Sequence, residues 1–167
     1  MKQDKFRKNI LPIVDKLFRL ALSITGNRQD AEDVVQDTLF YIWRKKEDWD
    51  SILDMEGYCF RSTRNIAIDK ISLKENQQES IPDNFDIPEQ KSSVQDLLEV
   101  EEEMVWLENC IKQLPEKQRT IFQLREVEGF SYKQIAEILN ISEEQVKVNL
   151  FRLRQKLKDF FEESKLR

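Results

Sequence analysis

The feature that most constrains this chain is a pair of capping boxes set close together, Ser131 with Gln134 and Ser142 with Gln145, each a serine followed three residues later by glutamine. In such a box the serine hydroxyl accepts a backbone N–H of the new helix while the glutamine carbonyl oxygen accepts the serine N–H, so each box marks a helix start. Only one short helix fits between two starts so near each other. Asn140 stands between them and tolerates the left-handed backbone of a sharp turn. Two helices joined so tightly need a small residue at the corner and apolar anchors facing inward. Ala136 is the small residue, and Ile135, Leu139, Ile141, Val146 and Leu150 are the anchors.

Past the turn, Val146, Leu150, Leu153 and Leu157 mark one buried face. Lys147, Arg152, Arg154, Lys156 and Lys158 project elsewhere, together with Gln145 and Asn149. A basic helix alone is ordinarily a solvated face. Behind a tight turn it fits a DNA major groove, where long polar side chains reach base edges and phosphates. Binding through several phosphates would be steeply salt-dependent.

Helix is the expectation throughout, because three Gly and four Pro against 35% charged residues suit charged helices and not turn-rich β-sheet. The net charge of −5 looks unfavourable for contact with nucleic acid until it is divided. Residues 74–104 hold 2 basic and 10 acidic side chains, whereas residues 1–73 balance at +1 and residues 105–167 at +2. That acidic stretch contains Pro82, Pro88 and few apolar residues, and reads as a flexible linker over residues 74–95. The predicted fold is all-α: a helical domain over residues 5–73, the linker, and a second helical domain over residues 96–163.

In the first domain Ile13, Leu17, Leu20, Ala21 and Ile24 recur at helical spacing before Gly26, and Asn27 caps a second helix, roughly Gln29 to Lys46. Its stripe is Ala31, Val34 or Val35, Thr38 and Ile42. A polar loop, Lys45 to Asp54, precedes a third helix to about Ser72, with Cys59, Thr63, Ile66 and Lys70 on one side and Arg61, Asn65 and Ile68 on the other. In the second domain a helix from about Val94 to Gln113 leads to Pro115, which suits the first turn of a helix that stops near Gly129.

Other chemistry finds little support. There is no His, so the commonest general base is missing, and Cys59 and Cys110 lack metal-site spacing and read as buried thiols in a reducing compartment. No phosphate-binding loop accompanies the scattered carboxylates. The expectation is a non-enzyme with no catalytic residues, cofactor, metal or small-molecule substrate. No apolar run reaches the roughly 18 residues of a membrane span, and the N-terminus leads into an amphipathic helix instead of a signal-peptide core, which points to a cytoplasmic protein not inserted in membrane. Trp43, Tyr58 and Phe60 are expected in the core.

Over both halves the chain resembles the small extracytoplasmic-function (ECF) sigma factors, the promoter-recognition subunits of bacterial RNA polymerase. The run Asp30 to Trp43 is similar to the clamp-binding helix of region 2, and Tyr58 to Asp69 to its promoter −10 segment. Leu114 to Arg119, Gly129 to Ala136 and Val146 to Arg154 are similar to region 4. The resemblance implies roles. Asp33, Gln36, Asp37 and Phe40 would dock on the clamp of core RNA polymerase. Arg61, Arg64 and Asn65, with the loop Lys45 to Asp54, would engage the −10 element, and the residue capturing a melted base is left open. Gln145, Lys147, Val148, Asn149, Phe151, Arg152 and Arg154 would read promoter DNA at −35. Val148 and Asn149 depart from the small or basic residues usual there, which leaves the preferred −35 sequence open. The linker would thread polymerase channels, and an anti-sigma factor is an implied partner. The alternative is a helix-turn-helix regulator with a sensing or dimerising first half, which would bind its operator without polymerase. A helical adaptor with no DNA role is a third reading.

Overall fold

Gly26 and Asn27 turn the chain between its first two long helices in a computed structural model that describes residues 1–77 and 98–165. A short helix, α1 (Lys2–Lys5), runs through a π-helical turn (Phe6–Ile10) and a 3-10 turn holding Pro12 (Leu11–Ile13) into α2 (Val14–Thr25). Leu17, Leu20, Ala21 and Ile24 form the buried stripe of α2 at the expected spacing. Gly26 then adopts φ 77°, a left-handed conformation that costs glycine nothing, and its N–H closes on the Leu22 carbonyl at 2.9 Å. Asn27 accepts the Asp30 N–H at 2.8 Å and starts α3 (Arg28–Arg44). α3 buries Ala31, Thr38, Ile42 and both candidate valines, Val34 and Val35.

The segment after α3, expected to be a polar loop, is a 3-10 turn (Lys46–Ser51) fastened to the bundle by Trp49. That indole is 4% exposed and its Nε1 donates to the Ile42 carbonyl at 3.0 Å. α4 (Met55–Gln77) follows. Asp54 caps it by accepting the Gly57 N–H at 3.0 Å, and a Cβ at Gly57 would lie 2.5 Å from the capping carboxylate, which reserves that position for glycine. The helix continues beyond Ser72, where Lys74 bonds the Asp30 carboxylate across the bundle.

The second half holds α5 (Leu98–Lys112), α6 (Glu116–Phe122), a π-helical turn (Gln123–Val127), α7 (Tyr132–Leu139) and α8 (Glu143–Lys165). Both capping boxes are formed. Ser131 exchanges bonds with Gln134 at 2.9 and 3.1 Å, and Ser142 with Gln145 at 3.0 and 3.1 Å. Asn140 takes φ 56° and ψ 50°, the left-handed corner between α7 and α8. Ile135, Ala136, Leu139, Val146, Leu150 and Leu153 are all buried.

α4 buries more than one stripe. Cys59 and Thr63 are covered as expected, but so are Phe60, Ser62 and Ala67, because α7 packs on the other side of α4. Phe60 meets Phe130 edge to face, ring centroids 4.9 Å apart, and α2 packs against α6, so a continuous apolar core runs through both halves. Beyond Gln77 the acidic linker expected to residue 95 lies outside the described residues. Among the described residues no helix is long and apolar enough to cross a membrane.

Candidate nucleic-acid interface

α8 is seated from one side by Val146, Leu150 and Leu153, so its opposite face turns to solvent. Lys147, Val148, Phe151, Arg152 and Arg154 all lie there, with Phe151 72% exposed. A phenylalanine held in water just before Arg152 and Arg154 offers apolar contact to a thymine methyl, with guanidinium donors beside it for guanine or phosphate. Two of the expected readers are partly committed to the helix. Gln145 uses its carbonyl oxygen in the capping box, and the Asn149 amide donates to the Gln145 backbone carbonyl at 2.7 Å.

Two residues that sequence reasoning passed over position the cations of this face. The Tyr132 ring lies 4.4 Å from the Arg125 guanidinium and 5.8 Å from the Lys147 ammonium. Glu126 pairs with Arg154 at 2.7 Å, and that hydrogen bond raises the arginine pKa above its ordinary value. Both stand before α8 in the chain. No periodicity within α8 could have disclosed them.

On α3, Asp33, Gln36, Asp37 and Phe40 fall at helical spacing on one outward face. Gln36 and Asp37 are exposed, Phe40 is 63% exposed beneath the Arg44 guanidinium at 5.4 Å, and Asp33 reaches Lys70 at 3.5 Å. The structure therefore brings this predicted set together. Acidic, amide and aromatic groups on one solvated stripe are suited to a partner surface and poorly suited to DNA, whose phosphates would repel the carboxylates.

The third predicted set lies on α4 and is divided. Asn65 is exposed, whereas Arg61 donates to the Glu137 backbone carbonyl and Arg64 pairs with Glu116 at 3.1 Å. Nearby, Arg19 holds Glu128 through two bonds of 2.9 and 3.0 Å, and this pairing raises the arginine pKa. Arg19, Glu116, Glu128 and Glu137 carry no local sequence signal for such contacts, since their partners lie far away in the chain. Beside the 3-10 turn, Asn9, Ile10, Trp49, Ile52 and Leu53 line a recess of about 220 Å³. Lys2 with Glu47 at 2.6 Å and Lys5 with Asp50 at 3.1 Å tie the turn to α1.

Neither thiol is poised for chemistry. Burial first, then the charges of Glu56 and Asp54, push Cys59 up to about 12, and burial raises Cys110. The outward faces instead present guanidinium, amide and aromatic groups, which bind.

Comparison with known proteins fits this layout. Residues 12–76 match the family model for Sigma-70 region 2, and residues 104–157 that for Sigma-70, region 4. The ECF RNA polymerase sigma factor SigL of Mycobacterium tuberculosis is 32% identical over 136 residues, which cover 80% of this chain and 76% of that protein. SigE of Mycolicibacterium smegmatis, also an ECF RNA polymerase sigma factor, is 27% identical over 148 residues, 87% of this chain but 57% of its own length. The fold is shared with the sigma factor RpoE of Bartonella quintana, solved in complex with the anti-sigma factor NepR: TM-score 0.74 and 23% identity over 95% of this chain and 98% of that one. With both sigma regions in order and a relative matched along most of its length, the chain belongs to the ECF family of RNA polymerase sigma factors, transcription-initiation subunits and not enzymes.

Proposed function

We propose that this sigma factor reads the −35 element with α8 and the −10 element with α4 while α3 grips core polymerase. Lys147, Val148, Phe151, Arg152 and Arg154 enter the major groove, with Gln145 and Asn149 at the edge of the contact. Arg61, Arg64 and Asn65 meet the −10 strand, and the recess beside Trp49 accepts an unpaired base. Asp33, Gln36, Asp37 and Phe40 dock on the polymerase clamp. The working units are residues 5–73 and 96–163, with 74–95 as the acidic connection, and the protein acts in the cytoplasm where polymerase is. Binding energy from unpaired non-template bases then offsets part of the cost of strand separation. The sigma factor of Bartonella quintana was solved bound to an anti-sigma factor, which supports a partner of that kind here.

The observation that carries the reading is the open face of α8: Phe151 is 72% exposed beside Arg152 on a helix whose other side buries Val146, Leu150 and Leu153. Run-off transcription with reconstituted holoenzyme on genomic fragments tests it. Defined start sites that vanish with Arg152→Ala are the expected result. Gel shifts in which the chain binds a duplex as well without core polymerase as with it would favour a stand-alone regulator.

A further inference from the structure

The recess beside Trp49 is walled from two places in the chain. Ile52, Leu53 and Met55 follow the 3-10 turn, whereas Lys5, Asn9 and Ile10 come from the N-terminal helical segment, ahead of residue 12 where the match to region 2 begins. One wall therefore lies outside the region 2 pattern. Its position is fixed all the same: Ile10 is buried, the Phe6 ring stacks on the Trp49 indole with centroids 6.3 Å apart, and Lys5 is tied to Asp50. From Phe6 to Ile10 the backbone is π-helical, closed by the Leu11 N–H on the Phe6 carbonyl, an irregularity frequent at functional sites.

Most of the lining is apolar, and Leu53 stands wholly exposed. Two polar side chains join it. The Lys5 ammonium is already engaged by a carboxylate, but the Asn9 amide is exposed and makes no side-chain hydrogen bond among the described residues, so its carbonyl oxygen and both N–H donors are free. An apolar slot with an aromatic wall holds any base, since every base has a flat face. An amide beside that slot is selective, because it must set donor against acceptor on the edge of the base.

We propose that Asn9 determines which base the recess accepts: Trp49 and the aliphatic side chains hold an unpaired base, and the Asn9 amide reads its hydrogen-bonding edge. The inference rests on the reading that this recess takes an unpaired base of the −10 element. Holding and choosing are then separate tasks, given to different segments. Paired hydrogen bonds from an amide distinguish bases on the order of tenfold, whereas the apolar walls add affinity without choice.

The test uses holoenzyme reconstituted from core polymerase and the full chain, on a promoter fragment defined by run-off mapping whose −10 region is held open by a mismatched template strand. Each of the four bases is placed in turn at each unpaired non-template position, and competition binding ranks them. The parent is expected to show one position with a preference on the order of tenfold. Asn9→Ala should shrink that preference to about twofold or less while the ranking elsewhere stays as it was. A carboxylate offers acceptors only, so Asn9→Asp should raise guanine, whose N1–H and 2-amino group are adjacent donors, relative to the other three bases at that position alone. The parental ranking retained by Asn9→Ala overturns the proposal, as does guanine unmoved by Asn9→Asp or a preference weakened at all positions alike. An abasic nucleotide at each position judges the capture reading apart. If base removal costs affinity at no position, no base is captured and that reading fails; if it does so at one position while Asn9→Ala ranks the bases as the parent does, capture stands and Asn9 is not the selector.

Discussion

α4 and α8 are helices of equal length, 23 residues each, and both carry arginines proposed to meet DNA, but their surroundings differ. α8 is packed from one side only and leaves Phe151 and Arg152 in water, whereas α4 lies between the first-domain bundle and α7 and buries Phe60 completely. Two aromatic residues of one type, each beside an arginine, thus have opposite environments. What separates them is the tertiary neighbour, since exposed apolar surface beside cations marks a binding face and the same groups beneath a second helix hold the fold together.

The sharpest way to break that contrast is to truncate both rings. Phe60→Ala should cost about 3–5 kcal/mol in urea unfolding, because it opens a cavity where the two domains meet. Phe151→Ala should stay within about 0.5 kcal/mol of the parent. Equal losses would show that α8 is covered in solution, and the open-face reading would fall.

Next in size is the arginine pair. Arg152→Ala should lower run-off transcription by a factor corresponding to about 1–3 kcal/mol while leaving the unfolding curve in place, since Arg152 is exposed and makes no side-chain hydrogen bond or ion pair among the described residues. Arg61→Ala removes a contact to Glu137 as well, and should alter both transcription and unfolding. If Arg152→Ala also melts early, the residue belongs to the fold and not to the promoter.

A smaller effect tests the frame that aims α8. Ser142→Ala deletes one half of a capping box and should cost about 1 kcal/mol of stability. Transcription should fall further than that loss alone predicts, because the cap sets the angle at which α8 leaves the Asn140 corner. The equivalent change at Ser131 should cost a similar amount of stability.

The corner was legible in the sequence because its causes are local. Ser131, Gln134, Ser142, Gln145 and Asn140 act on backbone within four residues of themselves, and all five adopt the expected geometry. Helical stripes on α2 and α3 were legible for a similar reason, periodicity being a property of a single element. Trp49 was hidden by its neighbours Glu47, Asp48 and Asp50, which make the segment read as solvated loop although the indole is anchored in the core. Phe60 was expected in the core, but not its contact with Phe130, and Arg19 gave no hint of Glu128. Those contacts join residues far apart in the chain, and nothing in either segment specifies the other. Asn149 shows the opposite failing: it looks free on a helical wheel, yet its amide bonds back to the preceding turn.

The smallest effect is a pH dependence confined to the first domain, and its sign follows from Asp30. Burial alone would raise that carboxyl, but hydrogen bonds from Lys74 and Asn27, with the charges of Lys74 and Lys70, hold it below its ordinary value. A carboxyl held low in the folded state stabilises the fold at pH above its unfolded pKa of about 4, and that contribution is lost as pH falls through the folded-state value. Asp30→Asn removes the ionisation while preserving shape. Its thermal stability should therefore lie below the parent near neutral pH and converge with it as the solution is acidified. Lys74, almost half exposed, limits the size of the gap through solvent screening. Since the Asp30–Lys74 pair joins α3 to the far end of α4, the same variant should leave the α8 face unaffected, with duplex binding equal to the parent at every pH where both are folded.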